Sequence, residues 1–370
     1  MRSKAPIARL VLEDGSEFPG HAFGKTRSAA GEVVFSTGMT GYPQSLTDPS
    51  FYGQILVHTY PLIGNYGIPY EHFDDWGIPS RFESEKVQVR GLVVSELCEE
   101  PSHFGRIKTL SAWLEENDVP GIQGIDTRQL TKRLRERGVM RGKIVVEGQN
   151  DPSFESGDVA YPVEFVSPKE PRLYLGPHGE KAPTIALIDC GAKANILRVL
   201  KSRGVNVLRV PWDYSLTGEK YDGVFISNGP GDPKACGKTI ATLRRLLDSE
   251  KPMFGICLGN QLIGLAAGSD TEKLLYGHRG QNQPCVEAGT SRCYITSQNH
   301  GYAVRSDSIP PGWETWFTNA NDGSVEGIRC SAKPISAVQF HPEGCPGPRD
   351  TEFLIDDFLS RVKSRGKNHD

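Results

Sequence analysis

Cys257 lies between two glycines in Gly255-Ile-Cys-Leu-Gly259, and His341-Pro-Glu343 comes 84 residues later. A cysteine framed this way matches the turn that lifts one side chain clear of a sheet at a strand-to-helix junction. The glycines are required because a Cβ on either side would clash in so sharp a bend. The sulfur then stands at a helix N-terminus, where the backbone dipole favours a thiolate. A free cysteine thiol has a pKa of about 8.5 and is little ionised at neutral pH, so a base is needed. His341 supplies one. Glu343, two residues on, projects to the same side of an extended segment as His341, and Pro342 stiffens the geometry between them. Cys257, His341 and Glu343 together form a nucleophile, a base and an orienting carboxylate. The bland alternative is an inert buried cysteine and a loop histidine.

These residues need elements that hold them. Residues 252–256 read as a buried strand and 258–267 as a small-residue helix, while 335–340 is a strand that delivers His341 to its end. From residue 184 onward, strand patterns (184–189, 205–210, 222–227) alternate with helical ones (193–203, 239–249). Such alternation predicts an α/β fold with a mainly parallel sheet flanked by helices. Reactive groups in these sheets collect at the carboxyl ends of strands. The loop Asn228-Gly-Pro-Gly-Asp-Pro233 falls at the same edge. Its Gly229 and Gly231 let main-chain N–H groups face an anion. The segment 231–239 imitates a phosphate-binding loop, but Asp232 stands where that motif needs glycine, and its carboxylate would repel phosphate.

The chain divides into 1–150, a linker at 151–182 and 183–365. Between 148 and 183 there are six prolines, four glycines and little periodicity. The first part reads as a β/β/α-type domain, with strands at 7–12, 55–60 and 87–95 and helices at 109–117 and 126–137. Asp126 caps the second helix and Gly138 stops it, while Trp113, Leu114, Leu130 and Leu134 read as core.

Composition narrows the class. The chain has 370 residues, 37% apolar and 24% charged, with a net charge of −3, so neither nucleic acid nor a membrane surface is an expected partner. Eight cysteines occur without a C-x-x-C pair, which implies no zinc site or disulfide framework and suits the cytoplasm. The opening residues lack the features of a signal or transit peptide.

With its motifs assembled, the sequence resembles the class I (triad) glutamine amidotransferases. More narrowly, it resembles the glutaminase subunit or domain of carbamoyl-phosphate synthase. The C-terminal half carries Ser227-Asn-Gly-Pro-Gly-Asp-Pro233, Gly255-Ile-Cys-Leu-Gly259, Ser297-Gln-Asn-His-Gly301 and His341-Pro-Glu343. The narrower likeness rests on Asp189-Cys-Gly-Ala-Lys-Ala-Asn-Ile196, Gly31-Glu-Val-Val-Phe35, Leu46-Thr-Asp-Pro-Ser50 and Tyr60-Pro-Leu-Ile-Gly-Asn65. The resemblance implies that Cys257 attacks the side-chain amide of glutamine and that His341 handles the protons. Leu258, Gly229 and Gly231 would hold the oxyanion. Ser50, Gln261, Asn299, Gly301 and Tyr302 would bind the substrate's α-groups, and His300 would be structural or regulatory. It also implies that ammonia passes to a carbamoyl-phosphate synthetase, as a large subunit or fused domain, making carbamoyl phosphate from bicarbonate for pyrimidines or arginine. No cofactor or metal is expected in this chain, since ATP and metal belong to that partner.

One position departs from the family: Asn260 replaces the usual histidine. Two rival readings stay open, a non-catalytic scaffolding subunit and a stand-alone thiol hydrolase.

Overall fold

The structure, a computed structural model, describes residues 5–366; the chain ends, 1–4 and 367–370, lie outside the described residues. Two compact units emerge, 1–159 and 160–370. The stretch 151–182 read as a linker therefore divides between them. Its Arg172–Tyr174 strand joins the second unit's sheet, antiparallel to Asn206–Pro211.

In the first unit seven strands close into a barrel in the order Ile7–Leu12, Met140–Val146, Ala29–Ser36, Ile55–His58, Gly91–Val93, Pro120–Gln123 and Glu17–Gly24. Closure pairs Ala8 with Val146, residues far apart in the chain. The expected strand at 87–95 shrinks to Gly91–Val93. Helix Leu110–Glu116 begins where the Thr109 hydroxyl accepts the Ala112 N–H. Helix Thr127–Arg137 begins where Asp126 accepts the Gln129 N–H at 2.8 Å and ends at Gly138. Trp113 and Leu114 enter a core with Val34, Leu56 and Leu92.

The second unit is a ten-stranded sheet with helices on it. Five strands run parallel in the order Asn206–Pro211, Thr184–Asp189, Gly223–Ile226, Met253–Ile256 and Ile335–Val338. From Ile185 to Ile188, Val224 to Ile226 and Met253 to Ile256 they are buried and apolar on both faces, as a sheet covered on both sides requires. Val224 and Ile226 pack with Leu243, Leu262 and Ile263 of helices Gly237–Leu246 and Leu258–Ala267. Phe225 and Phe254 instead meet Phe358 of helix Phe353–Gly366, with ring centroids 5.8 and 5.9 Å away. The parallel expectation describes this half only. Val325–Cys330, Trp313–Asn319, Thr271–Glu287 and Cys293–Val304 extend the sheet as an antiparallel block. Among the described residues no helix is long and apolar enough to cross a membrane.

Candidate active site

Met253–Ile256 and Ile335–Val338 are hydrogen-bonded neighbours with Ile256 opposite Val338, so the residues after both strands emerge at one edge. Cys257 is tied there by its own N–H, which donates to Val338 O at 2.8 Å. The chain then turns into helix Leu258–Ala267, leaving Cys257 at φ 55°, ψ −105°. Both flanking glycines are sterically required. A Cβ on Gly255 would lie 2.7 Å from Gly259 backbone atoms, and one on Gly259 would lie 2.4 Å from Ile226 O. The N–H groups of Leu258 and Gly259 open the helix, where the helix itself supplies no acceptor.

His341 Nδ1 and Glu343 Oε1 are 2.7 Å apart, both side chains sealed from solvent. The carboxylate holds the ring through Nδ1, and the Cys257 side chain beside the ring favours the imidazolium as well. Burial disfavours the imidazolium, yet Glu343 outweighs burial and opposing Lys193 and pushes His341 up to about 10. Burial likewise disfavours the Glu343 carboxylate, but Lys193 and then His341 bring it down to about 2. The Cys257 thiol donates to Asn299 O at 3.6 Å. A nucleophile at a helix start, a base oriented by a carboxylate and an imidazolium stabilised by that carboxylate suit thiol attack on an acyl centre.

The other expected site residues come from several elements. Gly229 comes after strand Gly223–Ile226, and a Cβ there would stand 2.2 Å from Cys190 O and 2.8 Å from the Leu258 side chain. Gly231 has φ +92° and lies against Pro162. Gln261 Nε2 donates to Tyr302 O at 2.8 Å and to Gln339 Oε1 at 3.1 Å, holding the helix to the strand Cys293–Val304 that carries Asn299, Gly301 and Tyr302. Ser50 belongs to the first unit, in the turn Pro49–Phe51, where its N–H donates to Asp48 Oδ1 at 2.9 Å. Asn260 is fully buried, and its side chain donates to Gln339 Oε1 at 3.2 Å.

Sequence reading assigned no role to Lys193, yet its Nζ stands 3.2 Å from Glu343 Oε1 and also donates to Gly344 O. Asn195 Nδ2 donates to Glu343 O at 2.6 Å. The signal available was a lysine and an asparagine just past a strand end, on the same sheet edge as the cysteine.

Among the described residues, His278, His300 and Glu326 are close enough together to hold a metal ion, with ligand atoms within 4.8 Å of one another. The group is held together by its own hydrogen bonds. His278 Nδ1 meets Glu326 Oε1 at 3.1 Å and its Nε2 meets Asp322 Oδ2 at 2.8 Å. Burial pulls His278 down, but the two carboxylates more than reverse this and raise it.

Residues 10–144 match the family described as carbamoyl-phosphate synthase small chain, CPSase domain, and 186–361 match glutamine amidotransferase class-I. The chain is 49% identical over 373 residues to multifunctional protein pyr1-3 of Dictyostelium discoideum, covering 95% of this chain and 17% of that protein. It is 49% identical over 357 residues to multifunctional protein CAD of Squalus acanthias, covering 95% of this chain and 16% of that protein. A carbamoyl phosphate synthase arginine-specific small chain of Aspergillus fumigatus is 45% identical over 363 residues, covering 96% of this chain and 80% of that one.

Proposed function

The chain belongs to the carbamoyl-phosphate synthase small-chain family, with its class I glutamine amidotransferase domain, and we propose that it hydrolyses glutamine and delivers the ammonia to a carbamoyl-phosphate synthetase. The observation that carries this is the Cys257 elbow beside a His341 held by Glu343 at 2.7 Å. With the transferable proton held on His341, the Cys257 thiolate adds to the side-chain amide carbon of glutamine. The carbonyl π-electrons move to oxygen, which the N–H of Leu258 and the Gly229–Gly231 loop receive. As the C–N bond breaks, His341 returns the proton to the departing nitrogen, releasing ammonia and leaving a thioester on Cys257. His341 then takes a proton from water, hydroxide adds to the thioester, and glutamate leaves with the thiol restored. Gln261, Asn299, Gly301 and Tyr302 are the proposed binding groups for the α-amino and α-carboxylate ends. Placed hydrogen-bonding groups of this kind reject analogues far better than an apolar cleft.

The chain spans about a sixth of the two multifunctional relatives and four-fifths of the small chain. The synthetase is therefore proposed as a fused domain or a separate large subunit, holding the ATP and metal chemistry, with carbamoyl phosphate going to pyrimidine or arginine synthesis. All eight cysteines are free, which supports a reducing, cytoplasmic setting.

Cys257→Ala in the complete synthase decides between this reading and a scaffolding role. Glutamine-dependent carbamoyl phosphate formation is expected to vanish while ammonia-dependent formation persists. Equal loss of both, or retention of both, would overturn the assignment.

A further inference from the structure

The segment beside the nucleophile is anchored by a histidine–carboxylate group that the triad does not use. His278 and His300 stand directly opposite one another in the pairing of Thr271–Glu287 with Cys293–Val304, their rings edge to face with centroids 4.9 Å apart. Register breaks lie on both sides, between Lys273 and His278 and between Gly280 and Gln283. The pairs His278–His300, Arg279–Asn299 and Gly280–Gln298 thus form a short island of ladder. Breaks of this kind disrupt the ladder locally, so backbone pairing alone specifies the island weakly.

Side chains take over the task. His278 is clamped between Glu326 Oε1 at 3.1 Å and Asp322 Oδ2 at 2.8 Å. His300 Nδ1 donates to Tyr302 O at 2.9 Å, the same carbonyl that receives Gln261. Glu326 also reaches the other side of the site, because its main-chain carbonyl accepts the N–H of Gln339 at 2.8 Å, two residues before His341. One residue thereby links the strand end that presents the base to His278, whose strand pairs with the one that passes the nucleophile. Buried ion pairs of this sort are often matched in stability by apolar side chains. Their use here is better explained by position than by stability.

We propose that Glu326, acting through His278, is a positioning residue for glutamine, fixing the segment Gln298–Tyr302 relative to His341. This rests on the glutaminase reading of Cys257, His341 and Glu343. Lost positioning weakens ground state and transition state alike, so it appears in KM rather than kcat.

The experiment measures glutamine hydrolysis by the complete synthase in the wild type and in Cys257→Ala, Glu326→Gln, Glu326→Asp and Asp322→Asn. Glu326→Gln is expected to raise KM for glutamine tenfold or more with kcat within about threefold. Asp322→Asn should raise KM a few-fold, and Glu326→Asp should recover part of the loss. The Asp322 side chain is 43% exposed, so that variant decides the matter even where Glu326→Gln fails to fold. Wild-type KM in Asp322→Asn, or a loss confined to kcat, would overturn the proposal. Hydrolysis persisting in Cys257→Ala would instead overturn the underlying glutaminase reading.

Discussion

Lys193 and Glu343 meet at 3.2 Å with side chains 3% and 0% exposed, so the carboxylate that orients His341 carries its own buried counter-charge. A lone carboxylate in this position would be driven toward its neutral form by burial. Lys193 keeps it ionised, and the ionised form is what stabilises the His341 imidazolium.

Lys193→Met retains the length of the side chain and removes the charge. Taking one partner from a buried pair costs about 3–5 kcal/mol. Urea denaturation should show a loss of that size, with glutamine hydrolysis at least tenfold slower. A stability change under about 1 kcal/mol would mean that the pair contributes nothing measurable.

Stability should depend on pH through His341 and Glu343. His341 is raised to about 10, so the folded chain holds a proton that the unfolded chain releases near 6.5. That contribution is complete below 6.5 and fades as pH rises toward 10. Glu343 is lowered to about 2, so its contribution is present above 4.5 and fades as pH falls toward 2. Glu343→Gln should flatten both slopes. Parallel unfolding curves for the two proteins between pH 6.5 and 9 would contradict the assignment.

Asn260→His is expected to change glutamine turnover by less than tenfold, about 1.4 kcal/mol of barrier. Asn260 donates to Gln339 rather than to the triad, and the proposed base, His341, is held by Glu343. The larger ring must fit a fully buried position, so some loss of melting temperature should accompany it. Steady-state hydrolysis with the synthetase present is the measurement, and a thousandfold gain would mark the natural chain as an impaired glutaminase.

The turn at Cys257, the pairing of His341 with Glu343 and the parallel strands were legible because each is written in a short stretch. Gly255 and Gly259 announce the turn, and 184–189, 222–227 and 252–256 are apolar runs of strand length. Lys193 gave no such sign, since its partner is 150 residues away and a lysine reads as exposed until the fold buries it. The antiparallel block was equally silent. Thr271–Glu287 mixes charged, amide and glycine residues without alternation, because its two register breaks interrupt the two-residue period. Barrel closure depends on Ile7–Leu12 finding Met140–Val146, a pairing no local pattern specifies.

Cys257 occupies φ 55°, ψ −105°, a region that a residue with a Cβ enters only at a cost of about 1–3 kcal/mol. Glycine would sit there without strain. The residue proposed as nucleophile is therefore also among the least comfortable, and replacing it with glycine should relax the backbone while extinguishing the chemistry. Any programme that screens variants of this protein for heat tolerance alone would drift toward sturdy, silent molecules. Catalysis has to be assayed in the same round.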